Sequence, residues 1–166
     1  MSASQSAEPL RLERTYTGTP EELWALWTTR EGFEAWWGPQ GFRVEVRRIE
    51  PRDGGILEYA MIAAAPEMIA GMKAAGQPLS HETRGVFRGV VPFEALELHH
   101  TIDFVPGVPP HEHRMRVTFT PEGAQVRMVI EIGQYHTEAL TQMATEGMTS
   151  QLTKVEEALK SLRAGS

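Results

Sequence analysis

Trp36-Trp37-Gly38-Pro39-Gln40-Gly41-Phe42 is the stretch on which the reading of this chain depends. It follows a helical segment and precedes the first long strand pattern. An enclosed indole buries on the order of 150–250 Å², so two in succession commit a large apolar surface. Gly38-Pro39 ends a helix, and Gly41 lets the chain swing into extended structure. Two tryptophans at such a corner either close a core or line the mouth of a cavity.

Upstream, Leu10 to Thr17 alternates as a first strand. Thr19 reads as an N-cap, Pro20 as the first helical residue and Glu22 as the partner that completes a capping box. Leu23, Leu26 and Trp27 share one helical face. Gly32 interrupts, and a second short helix carries Phe33, Trp36 and Trp37.

Downstream, the period changes to two. Phe42, Val44 and Val46 face one way and Arg43, Glu45 and Arg47 the other. Asp53-Gly54-Gly55 is a hairpin turn leading into a strand from Ile56 to Ile62, with Leu57, Tyr59 and Met61 on one face. Residues 66–76, Pro first and Gly last, predict an inserted helix with Met68, Ile69 and Met72 as its apolar stripe. Strand patterns resume at 82–91, 95–104, 113–120 and 124–133, divided by Pro- and Gly-containing turns. The chain closes with one long helix predicted from about Thr137 to Leu162, striped by Leu140, Met143, Gly147, Met148, Leu152, Val155, Leu159 and Leu162. An antiparallel meander needs cover for its inward face, and the single long helix is the natural cover. The fold class is therefore α+β: a curved antiparallel sheet of about seven strands wrapped on a C-terminal helix, with two short helices after the first strand.

The chain has 166 residues, 41% of them hydrophobic, and fits a single domain over 9–163. Residues 1–8 are small and polar and read as a disordered tail without the apolar segment of a signal peptide. A formal net charge of −6 and scattered arginines argue against a nucleic-acid partner. No apolar run is long enough to span a membrane. With no cysteine, thiolate chemistry and disulfides are excluded, and a cytoplasmic address fits. An edge strand or the inserted helix offers a surface for a homodimer.

The WWGPQGF corner, the EPRDGGILEYAM hairpin, the TRGVFRGVVPFEALEL pair and the MRVTFTPEGAQVRMVIE hairpin together resemble the AHSA1-like (activator of Hsp90 ATPase homologue-like) branch of the START/Bet v 1 (SRPBCC) superfamily. The resemblance covers about residues 9 to 162, and the inserted PEMIAGMKAAG helix resembles a bacterial subgroup. It implies a helix-grip fold with a deep, mainly apolar cavity between sheet and long helix. Superfamily members use that cavity for lipids, steroids, polyketides and hormones, and Hsp90 activators use a domain of this branch as a co-chaperone. This chain departs from its relatives at Met148, where a Trp is common, and at His100, where a Trp or Phe is common.

The ligand-lining candidates under this reading are Trp37, Phe42, Leu57, Tyr59, Met61, Leu98, His100, Met143 and Met148. Trp36 and Trp37 divide between core and cavity rim, with Trp37 and Phe42 as the rim pair. Tyr59 and Met61 are core on a packed sheet and cavity-lining in a helix grip. His100, on a face with Leu96, Leu98 and Ile102, is either a satisfied core residue or a hydrogen-bonding group for a ligand. Methionines fill irregular space, and Met68 with Met72 makes the inserted helix a lid or a stabilising cap. His111 and His113 share a strand face, but no third ligand stands at a fixed spacing and no metal is expected. No nucleophile elbow, zinc-protease motif or phosphate loop occurs, and no cofactor is expected. Acid–base chemistry would fall to His100, Tyr59, Glu58 or Asp103. The leading expectation is binding of a small hydrophobic ligand such as a lipid, polyketide or aromatic metabolite. The alternatives are a cyclase, aromatase or hydratase acting on it, and an Hsp90-type co-chaperone.

Overall fold

The computed structural model describes residues 10–38, 41–102, 111–133 and 138–164. The expected tail, and Asp103 with the end of its strand, lie outside them. Strand β1 (Leu10–Thr17) leads into helices α1 (Pro20–Thr28) and α2 (Arg30–Trp36). Next come β2 (Phe42–Ile49), β3 (Ile56–Ala63), the inserted α3 (Pro66–Ala74), β4 (Ser80–Val91), β5 (Ala95–Ile102), β6 (His111–Glu122) and β7 (Gln125–Ile132). The chain ends in α4 (Glu138–Leu152) and α5 (Val155–Ala164). All seven strands form one antiparallel sheet in the order β1-β7-β6-β5-β4-β3-β2. The α+β helix-grip reading therefore holds.

Local chemistry explains the first two helices. Glu22 N donates to Thr19 Oγ1 (3.1 Å) and Thr19 N to the Glu22 carboxylate (3.0 Å), the reciprocal bonds of a capping box. Thr29 then ends α1 and caps α2, accepting from Gly32 N at 3.0 Å. At Gly32 a Cβ would lie 2.1 Å from Ala25 O, so only glycine lets the two helices join this closely.

The covering helix differs from expectation, because it is broken between Leu152 and Val155. Thr153 N and Lys154 N bond to Ser150 O and Gln151 O, a tightened turn, and the Thr153 hydroxyl also donates to Ser150 O (2.6 Å). Regular bonding resumes with Ala158 N to Lys154 O. Met148, Leu152, Val155 and Leu159 are all buried, so the apolar stripe runs straight through the break. Met143 is a second correction. It is 66% exposed because the inward side of α4 runs through Thr141 and Met148, and Met143 stands roughly 200° round the helix from Thr141.

Candidate functional site

The corner places both indoles inside. Trp36 ends α2 with its Nε1 donating to Leu26 O (2.8 Å), fully buried. Trp37 leaves the helix in an extended conformation (φ −70°, ψ 149°), which turns its ring back toward the core instead of onward around the helix. The expected division between a core ring and a rim ring is thus replaced by two core rings, while Phe42 is only half-buried. Trp37 lies flat between Phe33 (4.7 Å, 19°) and His100 (6.1 Å, 18°).

A polar chain runs along this stack. Trp37 Nε1 donates to Tyr59 Oη at 3.0 Å, and Tyr59 Oη lies 3.3 Å from His100 Nε2. With the indole hydrogen already on the phenol oxygen, the arrangement that uses every hydrogen has Tyr59 donating to a neutral His100. Tyr59 sits on β3 and His100 on β5, with β4 between them. They meet because the β4 residue opposite His100 is Gly85, where a Cβ would already approach the imidazole to 3.4 Å. Burial pushes the His100 pKa down to about 4, aided by His113 and His99. The ring therefore acts as a neutral hydrogen-bonding group across ordinary pH.

Sequence reasoning weighed His113 only as a metal ligand beside His111, and not as a neighbour of His100. It stands directly across from His100 on β6, is buried, and its Nε2 lies 2.6 Å from Gly133 O. The row Leu57–Gly85–His100–His113 crosses four strands of the inward face. On the helix side, Thr141 and Gln151 are buried too. Gln151 accepts from Gly38 N (3.0 Å) and Lys154 Nζ reaches Trp37 O (3.4 Å), so the α4–α5 joint clamps the tryptophan corner. Burial lowers the Lys154 pKa.

The remaining candidates separate. Leu57, Leu98 and Met148 are buried and Met61 is half-buried. Glu58 faces the other side of the sheet, beside Arg84. His99 points away from His100, with its nitrogens 2.8 Å from Glu97 and 3.2 Å from Glu112. These carboxylates straddle the imidazole, and no group of three metal-ligating residues converges among the described residues. The side chain of His111 is outside what is described. Helix α3 has no buried residue; Met68, Ile69 and Met72 are half-buried, and Met68 Cε lies against Gly41 beside the corner. On the convex face, a groove of about 440 Å³ is lined by Arg47, Glu58, Glu82, Thr83, Arg84 and Thr101. Its charged walls do not suit an apolar guest. Among the described residues no helix is long and apolar enough to cross a membrane.

The sequence profile of the family described as "Activator of Hsp90 ATPase homolog 1-like protein" matches residues 17–160. A search of curated proteins gives no match. Among solved structures, a protein from Nitrosomonas europaea superposes with a TM-score of 0.72 at 20% identity, covering 96% of this chain and 98% of that one. One from Chromobacterium violaceum gives 0.70 at 21% identity, with 92% and 96% covered. An AHSA1 protein from Silicibacter pomeroyi gives 0.67 at 22% identity, with 91% and 98% covered. At these identities the likeness speaks to the fold.

Proposed function

This chain belongs to the Activator of Hsp90 ATPase homolog 1-like family, and from that premise we propose that it binds a small hydrophobic molecule between the sheet and its C-terminal helices. Family and fold fit a ligand-binding or a co-chaperone-like domain; the interior chemistry favours the first. The observation that carries the reading is the Trp37–Tyr59–His100 chain, set with His113 in an inward face that also carries Leu57, Leu98, Phe87 and Val117. Apolar walls supply affinity at about 25 cal/mol per Å² removed from water, and a few polar groups set orientation. A plain core gains nothing by burying an imidazole, because each buried polar group must be satisfied.

Native mass spectrometry of the purified protein, followed by titration of the recovered molecule against tryptophan fluorescence, tests this. Tyr59→Phe and His100→Phe should each weaken binding about tenfold, the value of one hydrogen bond. Unchanged affinity in both variants, or no bound molecule and no response to a lipophile panel, would sink the proposal.

One observation also favours acid–base turnover of the bound molecule: two titratable groups, Tyr59 and His100, converge to 3.3 Å. In that case the same substitutions abolish product formation while leaving much of the binding intact.

A further inference from the structure

The sheet has two open sides, and they are finished differently. On β2 the Glu34 carboxylate accepts from Val46 N (2.7 Å), and the register with β3 slips between Val46 and Arg48. A carboxylate and a bulge both discourage another strand from docking. β1 instead keeps unbroken register with β7 from Leu10 to Thr17. Gly18 N donates to Ala124 O, so even-numbered residues of β1 address β7 and the backbones of Arg11, Glu13, Thr15 and Thr17 point outward. Arg163 takes Thr17 O and Arg14 takes Glu13 O. Among the described residues no strand lies beyond.

The convex face carries a row of alternating charge that runs toward this side. Arg88 faces Glu97, Glu97 faces Arg116, Arg116 faces Glu131, and Glu131 faces Arg11. Opposite charges directly across a strand pair stabilise it, and like charges do the reverse. The last cross-strand member of the row is Arg11 on the outermost strand, whose guanidinium lies 3.2 Å from Glu13 within the same copy, a pair that an edge-to-edge partner would take over. Glu13 lies two residues on, on the same face.

We infer that β1 is a homodimer interface, in which two copies join edge to edge and antiparallel with Leu12 on the twofold axis. This register sets Arg11 of each copy against Glu13 of the other, in the hydrogen-bonded position, and continues both charge rows. It also sets Leu12 on Leu12 in the non-hydrogen-bonded position, where side chains come closest. The neighbouring registers fail: centring on Glu13 opposes two carboxylates, and centring on Arg14 opposes two guanidinium groups. Leu10 and Leu12 are only half-buried within one copy, so pairing covers them. The contact is isologous and closes on itself.

Sedimentation velocity on the full chain over a wide concentration range tests it. The wild type dimerises. Glu13→Arg opposes two guanidinium groups twice and raises the dimer dissociation constant by about tenfold or more, while the pair Arg11→Glu with Glu13→Arg restores it. A monomer at every concentration overturns the inference, as does a dimer indifferent to Glu13→Arg. Should that variant misfold by circular dichroism, hydrogen exchange of the wild type decides. The amides of Arg11 and Glu13 are protected in concentrated solution and exposed on dilution, and equal exchange at both concentrations overturns the inference.

Discussion

At the scale of single residues, His100 has the most measurable behaviour. Its folded-state pKa of about 4 lies below the ordinary 6.5, so between those values the unfolded chain binds more protons. Its contribution to stability is therefore complete above about pH 6.5 and is lost as pH falls through 4, by on the order of 3 kcal/mol. Urea unfolding at pH 7 and pH 4.5 should show this loss in the wild type, and His100→Phe should lack it. If both proteins lose stability equally, His100 is not the group responsible. Tyr59→Phe leaves the Trp37 indole hydrogen and His100 Nε2 without their shared partner and should cost about 1–3 kcal/mol in the same experiment. Both residues were legible in the sequence as inward-facing, since alternation alone assigns a face. Their hydrogen bond was not, because it crosses an intervening strand. The signal for it was Gly85 in the middle of β4, where a bare position marks a close approach. His113 was read only as a metal candidate beside His111 for a similar reason: its place opposite His100 is a fact of register, which no local pattern carries.

At the scale of elements, two glycines in helices predict opposite outcomes. Gly32→Ala drives a methyl into Ala25 O and should destabilise by more than about 3 kcal/mol, or prevent folding. Gly71→Ala, on α3, meets nothing within 4 Å and should stabilise by about 0.5–1 kcal/mol. Thermal melts of the two variants against the wild type check the pair, and a stabilised Gly32→Ala would refute the packing described for α1 and α2. Gln151→Ala removes the acceptor of a buried amide, Gly38 N, and should cost about 1–3 kcal/mol. The α1 cap and the seven strands could be read directly, because a capping box and period-two alternation are local. The break at Thr153-Lys154 could not. No Gly or Pro marks it and the apolar stripe continues across it. It arises from the Thr153 hydroxyl competing for Ser150 O and from the tether of Lys154 to Trp37 O, the second a contact that exists only once the corner has folded.

At the scale of the whole molecule, β1 and β2 are neighbours in sequence but occupy opposite sides of the sheet, with α1 and α2 bridging between them. Arg163 near the chain's end grips both Glu22 and Thr17 O, so the last helix is fastened where the first strand ends. That grip holds the Glu22 carboxyl below the usual carboxylate range. Deleting residues through Thr17 would leave β7 paired with β6 alone and turn it into an open edge carrying Val126, Met128, Ile130 and Ile132. The truncated protein should aggregate, visible as light scattering under conditions where the full chain stays clear. A clear, cooperatively folding truncation would show that β1 is dispensable. The strand order also has a consequence for biosynthesis. β1 leaves the ribosome before β7, its strand neighbour among the described residues, which begins more than a hundred residues later. At about 5–20 residues per second, the first strand waits roughly 5–20 s for its place. Arg11, Glu13 and Arg14 break up its apolar positions through that interval, which keeps a nascent strand dissolved until the sheet is ready for it.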